Sequence, residues 1–237
     1  FCWEELSPSL FICVSSAHKF GTDAFLLSDF AAPRRKDLCC DLGTGCGIIP
    51  LLWFRDDPPR LCYGADIQKQ AIEQLEQSIQ KNGLKNRFIP LLTDLKELSS
   101  LPCGPLDLVT CNPPYKAQGS GILSETDAER IARHEVLCTI EDVCQAASRL
   151  LRFGGRLCLC QRPERLCDTL CAMRSAGIEP KRVRFVQQRP ASAPWLFLVE
   201  GKKGSKPYMT VEPPLLVEGE GGFSQEILRI YHKKENL

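Results

Sequence analysis

The run DLCCDLGTGCG, residues 37–47, constrains the fold more than any other stretch. A short apolar strand reaches Asp41, turns through three closely spaced glycines and enters GIIPLLWF, which reads as a helix with Pro50 tolerated in its first turn. A buried strand that turns through glycines into a helix is the opening unit of an α/β chain with a mainly parallel sheet. The alternation continues. Strands are expected at 61–67, 87–94 and 106–111. Between them, 69–83 is an amphipathic helix: Ile72, Leu75 and Ile79 share one face, and Asn82-Gly83 supplies the stop. Thr139 is placed to cap a helix over 139–155, followed by a strand at 156–161. A helix from Pro163 to Gly177, a closing strand pair in KRVRFVQ and WLFLVEG, and a last helix from Ser224 complete the pattern. The polar segment 118–135 is a candidate substrate loop. A single domain is expected: a lead-in over 1–36, a core over 37–203 and a C-terminal extension over 204–237.

Composition narrows the setting. The longest apolar run, IIPLLWF, is far too short to span a bilayer, and no signal peptide opens the chain, so no membrane role is expected. Fourteen cysteines, none in CxxC spacing, and three histidines argue against a zinc site; no metal is expected. Cys39, Cys40, Cys158, Cys160, Cys167 and Cys171 stand where small hydrophobes belong, which suits free thiols in a reducing cytoplasm. Net charge is +1, but residues 145–210 carry thirteen Lys/Arg against four acids. That local excess of nine positive charges suggests a surface facing a polyanion, unless it is merely a solvated face.

The glycine loop then has to be matched to a ligand. Its spacing is GxGxG, with Gly43, Gly45 and Gly47, and Asp41 lies directly before it. A dinucleotide would bring an anionic pyrophosphate to the helix N-terminus, where a neighbouring carboxylate is costly. S-adenosylmethionine brings a sulfonium and an ammonium and no phosphate, and Asp41 suits those cations. Asp66, with Ile67 after it, ends the second strand, where an acid accepts from ribose hydroxyls. Asp94 ends the third and is placed to accept from an adenine amine. One acid at each of three successive strand tips fits a nucleoside lying across the sheet edge.

The fourth strand delivers CNPPY, residues 111–115. An exocyclic amine or amide nitrogen is a poor nucleophile because its lone pair is delocalised. Acceptors that draw its two hydrogens out of plane favour attack on a sulfonium methyl. The Asn112 side-chain oxygen and the Pro113 carbonyl are the candidate acceptors, with Pro113 and Pro114 holding the backbone stiff. Tyr115 offers a ring on which a planar substrate stacks, worth about 1–3 kcal/mol for a base. A base inside a helix does not reach such a pocket, so it must be flipped or unpaired.

The resemblance to a known family rests on these motifs and more. FGTDAFLLSDF, ADIQKQAIEQLEQSIQKNGLKNRF, CNPPY, IARHE, RPERL, MRSAGIEPKRVRFV and EPPLL together resemble the bacterial tRNA adenine-N6 methyltransferases, over residues 10–232. The resemblance implies a Rossmann-like class I methyltransferase fold: a seven-stranded, mostly parallel sheet with an antiparallel last strand. It implies S-adenosylmethionine as donor, tRNA as partner, and adenine 37 of a valine tRNA as target. It places Thr22 and Asp23 near the donor's methionine end. Where the family often continues NPPY with an aromatic, this chain has Lys116, assigned to a phosphate or to solvent. Arg162, Arg165, Lys181, Arg182 and Arg184 are the further candidate RNA contacts, and a monomer is expected. Three other functions compete. A glutamine-N5 protein methyltransferase usually carries a helical domain ahead of the core, and only forty residues precede Asp41. A guanine-N2 RNA methyltransferase is the nearer rival. A non-enzymatic RNA-binding module is disfavoured by intact Asp41, Asp66, Asn112 and Tyr115.

Overall fold

A computed structural model describes residues 1–15, 20–113 and 138–232. Strands β1 (Cys2–Ser7) and β2 (Leu10–Val14) form an antiparallel hairpin ahead of helix α1 (Thr22–Ala31). The alternation then runs β3 (Leu38–Leu42), α2 (Ile48–Arg55), β4 (Leu61–Asp66), α3 (Lys69–Lys81), β5 (Phe88–Leu92) and β6 (Leu106–Cys111). After the undescribed stretch come α4 (Ile140–Leu150), β7 (Leu151–Gln161), a 3-10 turn at Pro163–Arg165, α5 (Leu166–Ser175), β8 (Ile178–Gln187) and β9 (Pro194–Lys203). The C-terminal part adds β10 (Thr210–Leu216), a small hairpin of β11 (Glu218–Gly219) and β12 (Gly222–Phe223), and α6 (Gln225–Ile230).

The main sheet has the order β10-β8-β9-β7-β6-β3-β4-β5. The seven expected core strands are present, and β9, the last of them, is antiparallel to both neighbours. An eighth strand, β10, extends the edge parallel to β8. One face is covered by α1, α2 and α3 with the β1–β2 hairpin, and the other by α4 and α5, giving two apolar layers. Cys39 and Cys40 are adjacent on β3 and enter opposite layers, as pleating requires. Burial pushes thiols such as Cys39, Cys40, Cys62 and Cys111 well above their ordinary range, so they stay protonated and pack as apolar groups.

Two expectations need correction. The helix expected over 139–155 stops at Leu150, although Thr139 does cap it through a reciprocal box with Asp142. From Leu151 the chain is already strand: Leu151 pairs with Leu106, and Gly154, at φ +73°, sits in the irregularity before Arg156 pairs with Leu108. Cys167 and Cys171 are exposed, not packed. The buried face of α5 is Thr169, Ala172 and Met173, and two residues four apart on the other side share the solvent.

Gly47 shows why the loop into α2 needs glycine at its end. Its φ is +85°, and an added Cβ would lie 2.5 Å from Leu75 Cδ1. The close approach of α2 to α3 leaves no room for a side chain there.

Candidate active site

From β3 the chain steps outward through β4 and β5, then returns to the other side of β3 at β6. Such a reversal opens a crevice above the carboxyl ends of the strands, where α/β sheets bind ligands. A cavity of about 210 Å³ lies there. Phe20 and Asp23 line it from the entry of α1, Asp41, Gly43 and Gly45 from the glycine loop, and Asn112 from the tip of β6. Residues far apart in the chain thus meet, while Thr22, Gly47, Asp66, Ile67 and Asp94, also expected at the donor site, are not among the cavity's lining residues.

The loop is held from below and open above. Gly43 and Thr44 donate their N–H groups to Ala65 O on β4, at 2.8 and 3.0 Å. Gly45 N donates to Asp66 Oδ2 at 2.9 Å, and Gln68 N donates to Asp66 Oδ1 at 2.9 Å. Asp66 therefore ties the loop to the entry of α3 while each oxygen keeps a free lone pair. Gly43 and Gly45 have φ of +67° and +55°, and a Cβ on either would meet nothing within 4 Å. That clear space lets a ligand come down onto bare backbone.

The cavity's charge selects its guest. Two described lining residues are carboxylates and none is basic. Asp41 is 1% exposed, and burial pushes its carboxyl up to about 7, against the pull of the hydrogen bond that Thr110 Oγ1 donates to its Oδ1 at 2.6 Å. A phosphate is repelled here; a cation restores Asp41 to its ionised form. The residues present thus fit a sulfonium or ammonium ligand.

Asn112 is oriented from both ends. Its Nδ2 donates to Asp23 Oδ2 at 3.0 Å, and its Oδ1 lies 3.2 Å from Cys160 Sγ, a thiol donor. A carboxylate only accepts, so Asp23 sets which end of the amide is NH₂ and leaves the carbonyl oxygen as an acceptor. Thr110 on β6 and Asn112 just past its end therefore reach the two carboxylates of the cavity. Thr110 and Cys160 were missed in the sequence. Period-two alternation from Asn112 points to Thr110; Cys160 is reached only through the register of β6 on β7.

The other expected site residues lie around this centre. Pro113 is buried at the strand tip; Pro114, Tyr115 and Lys116 fall outside the described residues, as does the 118–135 loop. Thr22 turns toward the Tyr231 hydroxyl. Ile67 is exposed beyond β4, beside the exposed Leu92 that ends β5, an apolar rim. Asp94 accepts from Lys96 N at 2.9 Å in the turn after β5. Among the basic candidates, Arg165 pairs with Asp168, Arg182 with Glu200 and Glu212, and Arg184 with Glu226. Arg162 lies over the Trp195 ring and donates to Trp195 O, and Lys181 donates to Lys206 O. Among the described residues no cluster of metal-ligating side chains forms, and no helix is long and apolar enough to cross a membrane.

Comparison with known proteins agrees with this geometry. A relative from Parabacteroides distasonis, named tRNA1(Val) (adenine(37)-N6)-methyltransferase, is 29% identical over 185 residues, 78% of this chain and 76% of its own. One of the same name from Tolumonas auensis is 28% identical over 218 residues, 90% of this chain and 88% of its own. A crystal structure described as a predicted O-methyltransferase from Agrobacterium tumefaciens superposes with a TM-score of 0.70 at 20% identity, over 91% of this chain and 100% of that one. The M. jannaschii tRNA m1G37 methyltransferase gives 0.56 at 16% identity, over 86% and 55%. These two likenesses show the fold, a class I methyltransferase sheet. The profile of the methyltransferase small domain matches residues 14–173, from the end of β2 into α5, so that β3, its glycine loop and the Asn112 strand all fall inside it: the chain belongs to the methyltransferase small domain family.

Proposed function

We propose that this protein transfers a methyl group from S-adenosylmethionine to N6 of adenine 37 in a valine tRNA, acting as a monomer in the cytoplasm. The observation that carries the chemistry is the Asn112 amide, held by Asp23 with its oxygen left as acceptor at the edge of a cavity built for a cation. The substrate is supported by the relatives' printed names over most of both chains. Asp41 and Asp23 face the donor's charged end, Gly43 and Gly45 let it approach the backbone, and Asp66 accepts from its ribose. Ile67 and Asp94 flank its adenine, and Thr22 sits behind its methionine end. Bound there, S-adenosylmethionine supplies a sulfonium methyl, which the N6 lone pair takes while sulfur keeps the C–S pair and one N6 proton passes to water. Asn112 Oδ1 and the Pro113 carbonyl accept from the two N6 hydrogens and turn the lone pair toward the methyl. The CNPPY motif assigns Pro114 a stiffening role and Tyr115 a stacking role, Lys116 directly after it is assigned a phosphate contact, and Arg162, Arg165, Lys181, Arg182 and Arg184 are the proposed further RNA contacts.

Incubation with methyl-labelled S-adenosylmethionine and unmodified tRNA, followed by nucleoside digestion, tests the reading. The expected label is N6-methyladenosine at position 37 of the valine tRNA. Labelled N2-methylguanosine, or a labelled glutamine in protein with none in RNA, would overturn the substrate.

Asp41 gives the donor site a pH dependence of known sign. Burial pushes its carboxyl up to about 7, and a cationic donor favours the ionised form. Donor affinity therefore falls as pH drops below 7, by up to about tenfold per unit. Calorimetric titration between pH 8 and 6 should show this slope, and Asp41→Asn should flatten it and weaken binding at pH 8. A parallel slope in the variant would remove Asp41 from donor binding.

A further inference from the structure

The positive charge concentrated in residues 145–210 divides unevenly once folded. Seven of its thirteen basic residues sit within 4.0 Å of a carboxylate. Arg149 and Lys203 donate to backbone carbonyls. Lys202, next to the last residue of β9, and Lys206, in the turn from β9 to β10, have no acidic partner among the described residues, and Lys181 reaches that turn from β8. Lys181 Nζ donates to Lys206 O at 3.0 Å and lies 5.7 Å from the centre of the Tyr208 ring. The Phe153 ring packs against Gly204 in the same turn. Both rings face solvent, Phe153 at 77% and Tyr208 at 75% exposure, with Met209 beside them also exposed. The nearby acids are spent: Glu179 pairs with Arg174, and Glu212 with Arg182.

This cluster is at the end of the sheet away from Asn112. Lys202 pairs with Arg156 and Leu198 with Cys160, so Lys202 lies four residues along β7 from the strand tip, about 13 Å at 3.3 Å per residue. The turn carrying Lys206 and Tyr208 is farther still.

We propose that this lysine–aromatic surface binds the phosphate backbone of the tRNA outside its anticodon stem–loop, and so holds the body of the molecule while the loop enters the catalytic cavity. The inference rests on the RNA substrate proposed above. Unpaired lysines neutralise phosphates, and exposed rings between them stack on sugar or base without reading sequence. Tyr208 and Phe153 leave most of their surface to solvent, and Lys202 and Lys206 form no ion pair among the described residues. Discrete rings set among ammonium groups on a strand turn suit a nucleic acid better than the continuous apolar face a lipid surface takes.

The test is equilibrium binding of an unmodified valine tRNA transcript and of its isolated anticodon stem–loop, so it does not depend on turnover. A Lys202→Glu/Lys206→Glu variant, and separately Tyr208→Ala, should weaken full-length tRNA binding tenfold or more while leaving the stem–loop within twofold. The double variant should also reduce the log–log salt slope by about 1.4–1.8, two phosphate contacts' worth. Lys202→Gln/Lys206→Gln, which removes the charges without reversing them, should give the same ranking, and unchanged donor binding and unfolding temperature establish that the variants are folded. Equal weakening of both RNAs, or of neither, would overturn the proposal. So would retention of the wild type on phosphatidylserine vesicles that the variants lose while tRNA binding is unchanged. Failure of the wild type to methylate any tRNA adenine would instead overturn the proposed reaction and leave this comparison readable.

Discussion

An Asn112→Ala variant is expected to bind S-adenosylmethionine within a few-fold of the parent and to transfer methyl about 100- to 1,000-fold more slowly. The size is that of deleting one preorganised hydrogen-bonding group at a developing charge, about 2.7–4 kcal/mol of barrier. The donor site survives because Gly43, Gly45 and Asp41 line the cavity independently of this side chain. The chemistry does not, because the proposed side-chain acceptor for the attacking amine is gone. Single-turnover methylation at saturating donor, set beside a direct binding titration, separates the two. Near-parental transfer would take Asn112 out of the mechanism. Asn112→Asp provides a second reading: it keeps an acceptor oxygen at that position but replaces the donating NH₂ with a carboxylate oxygen against Asp23, where the amide now donates at 3.0 Å, so it too should be slow.

Asp23→Ala should slow single-turnover transfer about 10- to 100-fold even when donor is saturating. Asp23 Oδ2 accepts from Asn112, and its Oδ1 accepts from Ala24 N at 3.0 Å in the first turn of α1. It holds the amide in the productive orientation and helps to start the helix that carries it. The helix itself should persist, because Phe25 stacks on Tyr231 at 4.3 Å and clamps α1 against the C-terminal segment. A double-mutant cycle identifies the route. If Asp23 acts through Asn112, adding Asp23→Ala to Asn112→Ala costs little further rate. Losses that multiply would make Asp23 a donor contact alone, with no positioning role.

Much of this arrangement was legible in the sequence because its signals are local. The run from Leu38 through Gly47 combines a strand-like stretch, left-handed turns only glycine adopts easily, and a helix start, and each is set by neighbours along the chain. The apolar spacing of α3 and the Thr139 cap are of the same kind. The end of α4 was less legible, because Leu151 leaves the helix to pair with Leu106, a partner 45 residues away. Cys167 and Cys171 look like Cys158 and Cys160 in a sequence; only the packing of α5 decides that the first pair faces water.

The same division runs through the functional residues. By itself the sequence determined the strand–loop–helix unit, the acids at three successive tips and the Asn112 motif, since residue type and short spacing carry that information. Tertiary structure alone decided which way the Asn112 amide faces, because Asp23 and Cys160 come from a helix 89 residues earlier and a strand 48 residues later. It also decided where the positive charge goes. A count along the chain finds nine excess charges, but ion pairs with acids on several different elements take up seven of the nine arginines in that segment, while Lys202 and Lys206 have no acidic partner among the described residues. Charge is a property of residues, whereas neutralisation depends on the distance to a counter-charge, and distances between remote residues exist only once the sheet has formed.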